Sequence, residues 1–156
     1  DWSLDKTSLN RTFGKFQRDN ISMWVVSFVE GSRLNEKNLA QSQNFAEGRG
    51  LPRLEHLMLP RTKGFVATVT GLGDHLDAVY DTTIMYEDGV PSIWQWVRGV
   101  VGKVHIHVRR FPIEDLPLEE DQLEAWILRR YEEKDSRMAE FFAAQSNLGV
   151  APSQLA

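Results

Sequence analysis

Cysteine is absent from this sequence, so neither a disulfide framework nor a thiolate metal site can be built from it. That absence suits a domain facing the cytosol. An excess of basic residues is missing as well, since 18 Lys and Arg stand against 22 Asp and Glu for a formal charge of -4. Proteins that track a phosphate backbone present a basic face, so nucleic acid is not an expected partner. No run reaches the roughly 18 apolar residues of a membrane-crossing helix. The most apolar stretch, Met23-Trp24-Val25-Val26-Ser27-Phe28-Val29, has only the length of a buried strand. The chain opens on Asp1-Trp2 with no methionine and no signal peptide, which suggests a fragment or processed piece whose membrane anchor, if any, lies elsewhere.

What is present is ordinary globular material. At 156 residues, 42% hydrophobic and 26% charged, the chain is long enough for one domain with a single core. Ser3 or Asp5 can cap a first helix whose apolar positions Leu9, Phe13 and Phe16 recur at helical spacing, with Asp19 and Asn20 breaking it. Residues 23–29, rich in β-branched and aromatic side chains, read as an interior strand that Gly31 ends. Asn35 can cap a second helix bearing Leu39, Ser42 and Ala46 on one side, closed by Gly48, Gly50 and Pro52.

Residues 56–59 read as a short strand stopped by Pro60, and residues 63–72 as a helix ended by Gly71 and Gly73. Residues 76–86 form the next strand candidate, and Asp88-Gly89 signals a turn. Residues 94–101 suit a strand or an amphipathic loop. Val104-His105-Ile106-His107-Val108 alternates as a strand with one apolar face. Pro117 and the acidic turn Glu119, Glu120 and Asp121 start a final helix with the stripe Leu123, Trp126, Ile127 and Tyr131. Met138, Phe141 and Phe142 extend it or begin another. Strands alternating with helices imply an α/β fold, a mixed sheet flanked by helices over residues 1–146, with a flexible tail at 147–156.

One segment has the makings of an anion site. A turn carrying Glu30-Gly31-Ser32-Arg33 combines a glycine that lets a ligand approach the backbone, a hydroxyl donor, and a guanidinium fork suited to phosphate oxygens. Glu30 can accept from a substrate hydroxyl or hold Arg33 in place. On spacing alone a plain turn with an exposed Glu–Arg pair is the favoured reading. His105 and His107 share a strand face, but two imidazoles without a neighbouring acid or thiolate make a poor metal site. Gly71-Leu72-Gly73 is too short for a phosphate loop. Trp94 and Trp96, with Val97, Val100 and Val101, suit a bilayer interface or a core, and core packing is the preferred expectation.

Phe28-Val29-Glu30-Gly31-Ser32-Arg33 resembles the Phe-Pro-Glu-Gly-Thr-Arg block of the glycerolipid acyltransferases, with valine for proline and serine for threonine. Leu59-Pro60-Arg61-Thr62-Lys63-Gly64-Phe65 resembles the proline-containing fourth block of the eukaryotic lysophosphatidic acid acyltransferases. Asn44-Phe45-Ala46, Gly50-Leu51-Pro52 and Ala78-Val79-Tyr80-Asp81-Thr82-Thr83 resemble the same branch, so the likeness covers most of the chain, to about residue 128.

The resemblance implies an incomplete acyltransferase domain, its C-terminal portion, transferring an acyl group from acyl-CoA to the free hydroxyl of a lysophospholipid. It assigns the acceptor's glycerol phosphate to Glu30, Gly31, Ser32 and Arg33. It assigns substrate or acyl-chain binding to Pro60, with Arg61 and Lys63 as cations for lipid or coenzyme A phosphates. Those two cations equally suit a solvated basic turn. It further implies a membrane surface reached through the parent protein, at the endoplasmic reticulum with this domain towards the cytosol. Hydroxyl attack on a thioester needs a base and oxyanion stabilisation, and no metal or redox cofactor.

The family's catalytic motif, His-x-x-x-x-Asp, is where the sequence departs. Its histidine is the general base and its aspartate orients the imidazole. Five residues beyond His56, His75, His105 and His107 stand Arg61, Tyr80, Arg110 and Pro112. No catalytic residue is therefore expected in this chain, whose start falls just after the family's second block. A non-catalytic lipid-binding or interaction module is the alternative.

Overall fold

The computed structural model describes residues 2–147. Five helices and two strands follow in the order α1 (Trp2–Arg18), α2 (Glu36–Arg49), α3 (Thr62–Leu72), β1 (Ala78–Tyr86), α4 (Ile93–Val97), β2 (Val104–Pro112) and α5 (Glu120–Asn147), with short 3-10 turns at Gly73–His75 and Ile113–Asp115. The fold is α/β. Its sheet, among the described residues, is the single antiparallel pair β1–β2. The tail expected at 147–156 lies beyond the described residues from 148 onward.

Local chemistry explains most helix ends. The Asn35 side chain accepts from the Asn38 N–H at 2.8 Å, and Gly50 closes α2 in the left-handed region at φ 62°. Gly73 ends α3, and Glu120 and Asp121 occupy the first turn of α5, where carboxylates favour the helix dipole. α1 begins at Trp2, so Ser3 and Asp5 lie within it instead of capping it. Asn20, at φ 48°, turns the chain after it. α5 continues unbroken through Met138, Phe141 and Phe142.

The chain divides into two units. The first gathers residues up to Gly31, Pro60–Tyr80 and Arg110–Leu128. Here α1 packs on α3, and the Gln17 side chain donates to the carbonyls of Gly71 at 3.3 Å and Leu72 at 2.8 Å. Those carbonyls end a helix and have no intrahelical partner. Trp126 stacks on Phe65 at 5.6 Å and meets Phe111 edge-on at 5.1 Å. Leu72 and Leu123 are fully buried beside this cluster's helices.

The second unit comprises Ser32–Leu59, Asp81–Arg109 and the chain from Arg129. Met85, Met138 and Phe142 form its core, with Leu57 and Phe141 against them. Lys134 pairs with Asp81 at 2.5 Å and donates to the Thr82 carbonyl at 3.1 Å. Glu133 holds Arg109 at 2.7 Å and Arg130 at 2.5 Å.

Two expected strands are not strands. Residues 21–28 have no regular secondary structure and join no ladder, with Trp24 85% and Phe28 87% exposed. A strand is defined by a ladder, and among the described residues the only ladder is that of β1 and β2. Residues 55–57 bend instead, because other groups take their amides. Asp135 accepts from the N–H of Glu55 at 3.0 Å and of His56 at 2.7 Å, and Ser42 Oγ accepts from Leu59 at 2.8 Å.

The segment 94–101 also differs from expectation. It begins as α4, held by a reciprocal capping box in which Ser92 accepts from the Gln95 backbone and Gln95 accepts from Ser92. Its tryptophans are exposed, not packed in a core. The apolar face of β2 is likewise inverted. Ile106 and Val108 face solvent, while His107 and Arg109 are half-buried. The neighbouring strand accounts for this: Glu87 N–H bonds to Lys103 O at one end and Ile113 N–H to Asp77 O at the other. That register sets His107 opposite buried Thr83, and Ile106 opposite exposed Ile84.

Candidate functional site

The first unit brings together parts of the two sequence blocks picked out by resemblance, Phe28–Gly31 and Pro60–Phe65. Gly31 N–H donates to the Phe28 carbonyl at 3.0 Å, closing a turn with Gly31 at φ +69°. The Arg61 N–H then donates to the Val29 carbonyl at 2.7 Å. The Arg61 side chain lies across the bare α-carbon of Gly31. A Cβ there would stand 2.6 Å from Nε and 2.7 Å from Cδ. The glycine therefore serves two needs, a left-handed φ and room for a guanidinium.

Pro60 is buried, half-buried Glu30 stands in the turn, and Arg61 and Lys63 are exposed. Arg61 is the residue before α3, whose start has no side-chain cap and whose first turn has no acidic residue. Backbone N–H groups at a helix start favour an anion, and the cations Arg61 and Lys63 flank this one. Sequence reasoning began this helix one residue late, at Lys63, and so missed that Arg61 sits at its cap. Pro60 ahead of a helical pattern was the available signal.

The block crosses the division of the chain, and Ser32 and Arg33 open the second unit. Ser32 Oγ donates to the Met58 sulfur at 3.8 Å, and the Arg33 carbonyl accepts from the Asn38 side chain at 2.8 Å. Arg33 itself is exposed. The loop that presents it is thus tied to the first turn of α2.

Three of the four histidines have other engagements. His75 Nε2 donates to the Ile21 carbonyl at 2.8 Å, and the His56 ring packs on Phe142 at 5.0 Å. His107 Nε2 is buried without a partner, as is Thr83 Oγ1 across the ladder. His105 packs on Phe141 at 5.0 Å, and its Nε2 bonds to Glu87 at 2.8 Å. Among the described residues no three His, Asp or Glu side chains converge as a metal site would need.

The hydrogen bond from His105 holds Glu87 below the usual carboxylate range; desolvation opposes this, and the charge of Lys103 adds to it. A depressed carboxylate pKa stabilises the fold above the unfolded value, about 4.3. That contribution is lost as pH falls through the lower folded value. His105→Ala should raise the Glu87 midpoint in an NMR titration; an unmoved midpoint would show that another group sets it.

Against known proteins, the match falls on lipid acyltransferases. The family described as acyltransferase C-terminus matches residues 95–148. A probable 1-acyl-sn-glycerol-3-phosphate acyltransferase 5 of Arabidopsis thaliana is 36% identical over 143 residues, 91% of this chain and 38% of that protein. The human 1-acyl-sn-glycerol-3-phosphate acyltransferase delta is 40% identical over 142 residues, 90% of this chain and 38% of that protein. Mouse lysocardiolipin acyltransferase 1 is 34% identical over 152 residues, 94% of this chain and 40% of that protein. By sequence, then, the chain is related to the glycerolipid acyltransferases along almost all of its length, and it spans about two-fifths of these relatives. No solved structure gives a significant match.

Proposed function

We propose that this chain is the acceptor-holding part of an enzyme that moves an acyl group from acyl-CoA to the free hydroxyl of a lysophospholipid such as lysophosphatidic acid. Glu30, Gly31, Ser32 and Arg33 bind the acceptor's glycerol phosphate. Pro60, Arg61 and Lys63 bind lipid or coenzyme A phosphates. The observation that carries this reading is the Arg61 side chain laid over Gly31, with the Arg61 amide bonded to Val29. Gly31 and Arg61, one from each block, are thereby built as one feature within the first unit, with a cation at an uncapped helix start.

In the reaction the acceptor hydroxyl attacks the thioester carbonyl, gives its proton to a base, and the coenzyme A thiolate leaves. None of this chain's histidines carries the His-x-x-x-x-Asp spacing, so the base belongs to a part of the protein outside these residues. The chemistry requires no resident cofactor. Such an enzyme works at a membrane, the endoplasmic reticulum being the expected one, with this domain towards the cytosol. No described helix is long and apolar enough to cross a membrane.

The test is acyl transfer by the full-length protein. A charge-assisted hydrogen bond to phosphate contributes about 1.5–3 kcal/mol, so Arg33→Ala should lower kcat/KM for lysophosphatidic acid by about 10- to 100-fold. The loss should fall chiefly in KM, with partial rescue by Arg33→Lys. Normal turnover by Arg33→Ala and Glu30→Ala would remove these residues from the site.

A further inference from the structure

The β1–β2 hairpin ends in an exposed apolar tip that the acceptor site does not use. Within it Ile93 is 78%, Trp94 71% and Trp96 53% exposed, and Val97 and Val100 are exposed too. Large apolar side chains gathered in this way on one segment mark a contact surface. The tip is a built structure. The Ser92–Gln95 box starts α4, and the N–H groups of Gly99 and Val100 return to the carbonyls of Trp96 and Gln95, each at 3.1 Å. At its neck the Glu87 N–H bonds to Lys103 O at 3.1 Å and the Glu87 carboxylate reaches the Lys103 ammonium at 3.6 Å. The side chains are held out to solvent by a braced turn.

Charge indicates what they meet. In a chain of net charge -4, the segment 89–102 carries the charge of Arg98 alone, exposed next to Val97, while the adjoining acids lie at the neck, Glu87 against Lys103 and Asp88 against Gly102. Tryptophan favours the headgroup level of a bilayer, where an apolar ring and a polar N–H are both satisfied. A neighbouring cation adds attraction to anionic lipid. We infer that the hairpin tip docks the protein on a phospholipid surface, seating Trp94 and Trp96 at headgroup level with Arg98 against anionic headgroups. The choice of lipid rests on the reading of a lysophospholipid-using enzyme. The docking itself is measured without any acyl transfer.

The experiment is flotation with phosphatidylcholine vesicles, with and without phosphatidic acid, of the 156-residue chain, cleared of aggregate beforehand and shown by a cooperative melt to be folded. The chain should bind, more tightly when phosphatidic acid is present. Trp94→Ala/Trp96→Ala should weaken binding at least about tenfold, or 1.4 kcal/mol, with an unchanged circular dichroism spectrum. Arg98→Ala should weaken it about fivefold on the anionic vesicles only. Lipids brominated near the headgroup should quench the intact chain's fluorescence more than the double variant's.

Binding that is absent, or equal in the intact chain and the tryptophan variant, overturns the inference. So does a lipid-free dimer abolished by the double variant, which would assign the tip to a second copy. Failure here leaves the acceptor site standing, since Arg33→Ala is read by turnover of a soluble short-chain acceptor. Failure of that assay leaves vesicle binding standing in turn.

Discussion

Under the proposed function, Gly31→Ala is expected to cost the full-length protein on the order of a hundredfold in kcat/KM for a lysophospholipid acceptor. Two effects combine. The residue sits at φ +69°, where a side chain costs about 1–2 kcal/mol. The new Cβ would also stand within 2.9 Å of the Arg61 guanidinium carbon. The obstructed atoms belong to a flexible side chain, so the guanidinium swings away and the turn survives. Stability should therefore fall only by the backbone strain, while acceptor use falls by the misplaced cation. A double-mutant cycle isolates the cause. If Gly31→Ala acts through Arg61, the pair with Arg61→Ala should be little worse than the worse single variant. Full additivity, or unchanged kcat/KM in Gly31→Ala, would show that placing this guanidinium does not matter.

Leu72→Ala should be the most damaging of the simple core truncations. Leu72 is 0% exposed at the end of α3, and such a change removes transfer energy and leaves a cavity, together about 2–5 kcal/mol. For a chain of this size each kcal/mol lowers Tm by about 2–4 °C. The urea midpoint should drop with an unchanged m-value. Val26→Ala, at an exposed position outside any ladder, is the control and should move stability by no more than about 0.5 kcal/mol. A Leu72→Ala loss near that of the control would contradict the packing of α3.

What the sequence revealed was whatever is decided within a turn or two of chain. Asn35, Gly50 and the acidic start of α5 announce helix ends because a cap bonds to amides three or four residues away. β1 was legible from its β-branched and aromatic run and β2 from its alternation, although alternation did not reveal which face of β2 is covered. Residues 23–29 have the same β-branched and aromatic character, yet their pairing depends on an edge that no local feature specifies. The amides of Glu55, His56 and Leu59 were taken by Asp135 and Ser42, a competition invisible in a strand-like composition. Trp94 and Trp96 were expected inside because large apolar residues usually are; hydrophobicity does not reveal which surface another element covers. Of the proposed site, the two blocks were picked out by resemblance. The passage of Arg61 over Gly31 was not, since nothing near either residue in the sequence requires it.

The unpaired stretch 21–28 has a colloidal consequence. It holds no charge and no proline, which are among the devices that keep exposed strand-like segments from recruiting neighbours. Ile21 bonds to Phe16 and His75, and the Phe28 carbonyl to Gly31; the run between them is β-prone and uncharged, the composition from which ordered aggregates grow. Solutions of this chain therefore carry a built-in template for intermolecular sheet, and a single lysine placed in the run would blunt it.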